Sequence, residues 1–152
     1  MAINSYKELR VFQNAMGACM EIFEHTKKFP SEERFSLIDQ IRRSSRAVCA
    51  GLAEAWRARC YPRAFTAKLD SAASEAGETQ VWIEIATRCG YLAKDTAKRL
   101  DASYEHIVAQ LISMSHKPEP WLIAPHTAGS NVAGNEGITN PVGKRANQRA
   151  SA

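Results

Sequence analysis

The stretch from Lys94 to Ser115, KDTAKRLDASYEHIVAQLISMS, decides the fold class of this chain. Its apolar residues recur at alternating steps of three and four, at Ala97, Leu100, Tyr104, Ile107, Leu111 and Met114. This spacing places all of them on one face of an α-helix, and it is the period of left-handed helical bundles. The stretch therefore predicts a long helix that buries one face against other helices.

Three upstream stretches show the same helical periodicity. They predict helices over about residues 6–28, 32–59 and 63–89, with prolines at the first two breaks. Short links between long helices favour antiparallel neighbours, and no stretch alternates as a strand does. The sequence therefore predicts an all-α fold, an antiparallel up-down-up-down four-helix bundle over residues 1–116.

Residues 117–152 form the second predicted unit, a flexible tail. This segment is rich in proline and glycine and has no periodic apolar pattern, so we expect disorder beyond Ala128. The apolar island Trp121-Leu122-Ile123 either docks onto the bundle or meets a partner. The basic far end, with Lys144, Arg145 and Arg149, is either a solvated tail or a nucleic-acid-binding arm.

Composition bounds the class of protein. The chain has 152 residues, of which 45% are hydrophobic and 24% charged, which suits one globular domain. It has no run of 18 apolar residues and no apolar segment near its start, so we expect neither a membrane span nor a secretory signal. We expect a cytoplasmic protein. The net charge of +4 is mildly basic and does not by itself indicate nucleic acid.

The motifs of common enzymes and metal sites are missing from the sequence. It has no Cys-x-x-Cys pair, no inward Glu-x-x-His pair, no P-loop and no Gly-x-Ser-x-Gly turn. We therefore predict no catalytic residue, no metal site, no cofactor and no enzymatic activity. The four cysteines are expected to be reduced and to behave as small apolar residues.

The informative chemistry lies between Arg42 and Lys68, where seven basic residues accompany a single acid, Glu54. Arg42, Arg46 and Arg57 share one face of the second predicted helix. They form a stripe about 22 Å long, at about 1.5 Å rise per residue. Such a stripe suits a polyphosphate backbone. The predicted nucleic-acid-binding residues are Arg42, Arg43, Arg46, Arg57, Arg59 and Arg63.

The alternative is that these cations pair with acids across the bundle. If the second and third helices are antiparallel about a turn near Tyr61, facing residues have numbers that sum to about 122. Glu54 then faces Lys68, and Glu75 and Glu78 face the stretch from Arg43 to Arg46. Exposed pairs of this kind stabilise a fold by about 0–1 kcal/mol each.

A surplus of apolar surface predicts self-association. The first helix has a main seam of Leu9, Phe12, Met16, Cys19 and Phe23, and beside it a second stripe of Val11, Ala15, Ala18 and Ile22. The third helix is apolar nearly all round near its end. Apolar patches of this size usually mark a contact, and identical chains are the simplest partners. The predicted oligomer interface comprises Val11, Ile22, Val81, Trp82 and Ile85.

Several segments resemble one bacterial family. They are Ser5–Gln13 (SYKELRVFQ), Phe29–Phe35 (FPSEERF) and Gln40–Ser44 (QIRRS), followed in order by Leu52-Ala53-Glu54, Ser74-Glu75, Glu78-Thr79-Gln80 and Gly90-Tyr91-Leu92. They resemble the four-helix-bundle proteins encoded in intervening sequences of large-subunit ribosomal RNA genes. A related bundle is the accessory variability determinant of diversity-generating retroelements, which forms a basic pentamer beside a reverse transcriptase and its RNA.

The resemblance implies a homo-oligomer, with a pentamer favoured, and no catalytic residue. It leaves two functional hypotheses. One is a non-enzymatic protein that binds RNA or DNA, as an accessory factor to a reverse transcriptase or an rRNA element. The other is a structural or adaptor oligomer that recruits a protein partner.

Overall fold

The computed structural model of the protein describes residues 2–125, and four α-helices account for most of them. They are α1 (Arg10–Thr26), α2 (Leu37–Arg57), α3 (Pro62–Arg88) and α4 (Lys94–His116). Both α1 and α3 pack against α2 and α4, and no strand occurs within the described residues. The predicted all-α, up-down-up-down bundle is confirmed.

The core of the bundle lies where α3 and α4 were predicted to bury their apolar stripes. All six stripe residues of α4 are buried, and so are the apolar residues that recur at helical spacing along α3, which are Phe65, Leu69, Ala72, Ala76, Ile83 and Ala86. Four polar side chains are also buried, and two of them bond to each other, since the Thr79 hydroxyl donates a hydrogen bond of 2.8 Å to Ser44 Oγ. The pair satisfies both hydroxyls between α2 and α3, where unpaired ones would be costly.

The end of α3 follows from Gly90. This residue has a φ of +78°, a left-handed conformation that glycine adopts without steric cost. The Tyr91 N–H then donates to the Ala86 carbonyl (2.9 Å), and the Gly90 N–H donates to Thr87 (3.0 Å). This is the Schellman pattern, and it turns the chain sharply toward α4.

The start of α1 differs from the prediction. Tyr6–Glu8 forms a separate turn of 3-10 helix, capped by Ser5 Oγ, and α1 begins only at Arg10. Leu9 between them is extended, with φ −63° and ψ 128°, and its side chain is buried. The kink therefore serves to place Leu9 in the core, which a continuous helix from Tyr6 would not do.

The start of α2 is also later than predicted, because it is capped by a carboxylate further along the chain. Glu33 lies in the 3-10 turn Ser31–Glu33, and its Oε2 accepts a hydrogen bond from the Leu37 N–H at 3.2 Å. The Ser36 hydroxyl donates to the same carboxylate, and the Tyr91 hydroxyl donates to Oε1 at 3.1 Å. These donors, Ser36 first, hold the pKa of Glu33 below its ordinary value.

The rotational setting of α1 corrects the predicted interface. Val11 and Ile22 are only 2% and 1% exposed, so their stripe is the core face of α1. Phe12 and Phe23 lie at its margin, and Met16 is exposed. The prediction that Val11 and Ile22 are surplus apolar surface is wrong, since both are used inside the bundle.

The first part of the predicted tail docks onto the bundle. Glu119–Trp121 forms a 3-10 turn, and Trp121 and Leu122 pack half-buried against the core. The Ile123 N–H donates to the Arg59 carbonyl at 3.2 Å, which ties the segment to the end of α2. The predicted disorder beyond Ala128 and the basic far end lie outside the described residues.

None of the described helices is long and apolar enough to cross a membrane.

Candidate nucleic-acid interface

The second helix, the turn that follows it and the start of α3 present the predicted arginines, but not in equal roles. Arg43, Arg46, Arg57 and Arg63 are exposed, whereas Arg42 and Arg59 are half-buried. Arg43, Arg46 and Arg57 lie outside the buried face of α2, and Arg63 is exposed in the first turn of α3. The six predicted residues therefore divide into two classes.

Arg42 holds α1 against α2. Its Nε donates a hydrogen bond of 2.8 Å to Oγ1 of the buried Thr26, and its guanidinium lies 4.9 Å from the Phe23 ring centre. Both contacts restrict the side chain to the groove between the helices. We therefore correct its prediction, because Arg42 acts first in packing and not as a free surface cation.

Arg59 is committed to the end of α2. Its guanidinium carbon lies 3.4 Å from the Trp56 ring centre, and its Nε donates to the Trp56 carbonyl at 2.8 Å. Burial lowers the pKa of this guanidinium from its ordinary value. Cation–π stacking and the docked Ile123 backbone make Arg59 a fixed positive charge at this end of the bundle.

The exposed arginines lack carboxylate partners. Within residues 2–125, no ion pair or hydrogen bond engages the guanidinium group of Arg43, Arg46, Arg57 or Arg63. Exposed cations without a carboxylate partner contribute an uncompensated positive potential at the protein surface.

The predicted pairing of cations with acids across α2 and α3 is formed by Lys68 but not by the arginines near the start of α2. Lys68 Nζ lies 2.6 Å from Glu54 Oε2, as the antiparallel register predicted. Glu78 does not reach an arginine, and its Oε1 accepts a hydrogen bond from Trp82 Nε1 at 3.0 Å. Glu75, one turn away, pairs with no arginine among the described residues. The pairs predicted for Arg43 to Arg46 are therefore not formed.

An exposed aromatic residue was missed by the sequence reasoning. Tyr61 occupies the turn between α2 and α3, and its side chain is 66% exposed. Its neighbours in the sequence include Arg59 and Arg63. The sequence Arg-Cys-Tyr-Pro-Arg predicts a break between two helices, and it also places this aromatic residue among basic ones.

The predicted oligomer surface on α3 is partly present. Val81 and Ile85 are 54% and 37% exposed and lie one helical turn apart, so they form a continuous apolar patch. Trp82 is half-buried and packs against the core. On α1, Met16 and Met20 are also exposed.

The described residues contain no group of three or more His, Cys, Asp or Glu side chains that could hold a metal ion. All four cysteines are free, with Cys19 and Cys49 buried in the bundle.

Comparison with known proteins places these features in a family. A sequence model described as 23S rRNA-intervening sequence protein matches residues 7–113. The crystal structure of a protein of unknown function from the S23 ribosomal protein family of Bacteroides thetaiotaomicron shares the fold, with 27% identity and a TM-score of 0.64. The match covers 70% of this chain and 95% of that one. No curated protein matches the sequence. The chain belongs to the family of 23S rRNA-intervening sequence proteins.

Proposed function

We propose that the protein is a non-enzymatic, homo-oligomeric nucleic-acid-binding protein. Its phosphate contacts are the exposed arginines of α2 and of the first turn of α3, Arg43, Arg46, Arg57 and Arg63. The observation that carries the proposal is that these four side chains are exposed and unpaired among the described residues. Arg42 and Arg59 contribute positive charge from fixed positions.

The spacing of these cations suits a long anion. Arg43 and Arg57 are separated by about 21 Å along α2, at about 1.5 Å rise per residue. No carboxylate occurs between Ala55 and Leu69, so the segment that joins the end of α2 to the first turns of α3 is basic in sequence. A small ligand would engage one cation at a time, whereas a polyphosphate chain would engage several and release counterions from each.

Assembly would multiply this weak contact. The exposed pair Val81 and Ile85 supports self-association through α3, because an apolar patch on a soluble bundle is stabilised by burial. We propose a closed ring, with the family resemblance favouring a pentamer. In such a ring the basic face of α2 repeats around the axis, and several modest contacts combine into one strong one.

The proposal identifies the target of binding by its chemical class, which is nucleic acid. The family description names an intervening sequence of 23S rRNA, which makes RNA the first nucleic acid to test. The resemblance to a retroelement accessory protein makes a reverse transcriptase the corresponding protein partner to test. Base-specific recognition is not required by this proposal, since contacts to phosphate carry no sequence information directly.

A structural or adaptor oligomer is the second candidate function. The exposed Met16 and Met20 on α1 favour it, because flexible methionine side chains adapt to protein partners. On this hypothesis, the arginines would be a solvated surface, and their removal would leave the function unchanged.

Binding of labelled RNA and DNA to wild-type protein and to Arg43→Ala/Arg46→Ala tests the proposal. We expect the double variant to bind every sequence more weakly by a similar factor, with an unchanged melting temperature. If the variant melts earlier and still binds as wild type does, the two arginines stabilise the fold, and the adaptor function takes precedence.

A further inference from the structure

Tyr61 is held by its backbone while its ring remains free. The Tyr61 N–H donates to the Ala58 carbonyl at 2.8 Å, and its own carbonyl accepts from the Phe65 N–H at 2.9 Å. Pro62, the first residue of α3, further limits the local backbone. The phenol ring is 66% exposed, and it makes no side-chain hydrogen bond to another described residue. The turn thus presents an exposed aromatic ring on a backbone that is already ordered.

The surroundings of this ring are cationic. Arg57 and Arg63 flank it in the sequence and are exposed, and Arg59 is fixed against Trp56 on the same turn. Lys68, the next cation along α3, is already paired with Glu54. An exposed tyrosine among unpaired arginines is poorly suited to an apolar protein contact, because burying the ring would also desolvate the charges.

We infer that Tyr61 is a stacking platform for an unpaired base, and that the protein therefore binds single-stranded nucleic acid in preference to duplex. Phosphates on either side of the stacked base contact Arg57 and Arg63. This inference rests on the proposed function and adds the class of strand that is recognised. Aromatic residues interleaved with basic ones are how single-strand-binding proteins combine stacking with charge neutralisation.

Duplexes are disfavoured at this site for an energetic reason. Each base in a duplex is stacked on both faces, so Tyr61 can gain a stack only if the duplex pays to expose one. A single strand already offers free faces. The arginines contact the phosphates of both forms, and the preference between them therefore comes from Tyr61.

Phe35 provides a matched control on the same protein. Among the aromatic residues that the structure describes, Phe35 is the most exposed, at 88%. The Arg34 guanidinium lies 5.5 Å from its ring centre, but the nearby chain also carries the acids Glu32, Glu33 and Asp39, so its surroundings are mixed in charge. Nucleic acid should avoid this end of α2, and the loss of the Phe35 ring should not affect binding.

The test compares the full-length protein with Tyr61→Phe, Tyr61→Leu and Phe35→Leu. Fluorescence anisotropy measures binding of a labelled oligouridine strand and of the same strand annealed to oligoadenosine. We expect Tyr61→Leu to lose roughly fivefold or more in single-strand affinity, since a base–aromatic stack is worth about 1–3 kcal/mol. Its salt dependence should be unchanged because no charge is removed. Tyr61→Phe and Phe35→Leu should bind as wild type does.

The outcomes separate the two proposals. If wild-type protein binds neither form, the proposed function fails and the inference fails with it. If the protein binds duplex as tightly as the single strand, or if Tyr61→Leu binds the strand normally, the inference is overturned while the arginine surface stands. The melting temperature is measured for each variant. If it equals that of wild type, a loss of binding is due to the missing ring and not to misfolding. Retained binding in Tyr61→Phe provides the same check independently.

Discussion

Substituting Gly51 with alanine tests how closely α2 and α3 approach. A Cβ added at Gly51 would lie 3.2 Å from the Ala72 Cβ and 3.7 Å from its Cα. Carbon atoms prefer separations of about 3.5–4.0 Å, so the two helices would have to move apart by a few tenths of an ångström. The glycine is therefore retained by packing, although glycine within a helix costs about 1 kcal/mol relative to alanine.

The magnitude follows from these opposing effects. Alanine gains about 1 kcal/mol in helix propensity, while overpacking a core costs about 1–3 kcal/mol. We expect Gly51→Ala to lower the free energy of unfolding by about 1 kcal/mol and the melting temperature by about 2–4 °C. Urea denaturation followed by circular dichroism measures the free energy of unfolding, and thermal denaturation measures the melting temperature. Both are measured at one protein concentration for Gly51→Ala and for its control.

Gly17→Ala is the matched control. Gly17 also lies in the middle of a helix, but a Cβ there would have no non-local neighbour within 4 Å. Gly17→Ala should raise the free energy of unfolding by about 0.5–1 kcal/mol, because it changes only the helix propensity of the residue. If Gly51→Ala stabilises the protein as much as Gly17→Ala does, the close approach of α2 to α3 is refuted.

Three further predictions concern a helix cap, a buried hydroxyl and the oligomer. Because the pKa of Glu33 is lowered in the folded state, Glu33→Ala should destabilise the protein at neutral pH. That difference should disappear as pH falls below the ordinary glutamate pKa of about 4.3 and through the lower folded-state pKa; a pH-independent difference in urea denaturation would contradict the cap. The Tyr104 hydroxyl is buried with no hydrogen-bond partner among the described residues, so Tyr104→Phe should leave the free energy of unfolding unchanged or raise it by up to about 1 kcal/mol. A loss on thermal denaturation would reveal a partner. Replacing Val81 and Ile85 by aspartate should dissociate the oligomer, as measured by light scattering, while circular dichroism stays helical; an intact oligomer would place the interface elsewhere.

The fold was predictable where one apolar stripe dominates a helix. On α4 a single 3-4 pattern leaves one face to bury, and all of its members are buried. On α1 two stripes lie side by side, and periodicity alone does not choose between them. Periodicity favours the larger side chains, such as Phe12 and Met16, as the core, but α1 instead buries Ala15 and Ala18. Its neighbouring helices fix that rotation, and no local pattern records it.

The candidate site was predictable in charge and less so in geometry. The antiparallel register correctly paired Lys68 with Glu54, because facing positions depend only on where the turn lies. The interactions of Arg42 and Arg59 depend on rotamers and on the depth of the groove between helices, which the sequence does not give. Tyr61 was missed because a residue at a helix break carries no periodicity to indicate its exposure.

The salt dependence of RNA binding tests the central claim most directly. The claim is that unpaired arginines on α2 neutralise phosphates, and each neutralised phosphate contributes about 0.7–0.9 to the slope of log affinity against log salt. Arg43→Ala/Arg46→Ala should therefore flatten the slope by about 1.4 or more. The charge-matched control is Lys27→Ala/Arg88→Ala, which removes two exposed cations that already have carboxylate partners, Glu24 and Glu84. We predict that this control keeps the wild-type slope. Equal slopes for the two double variants would contradict the account.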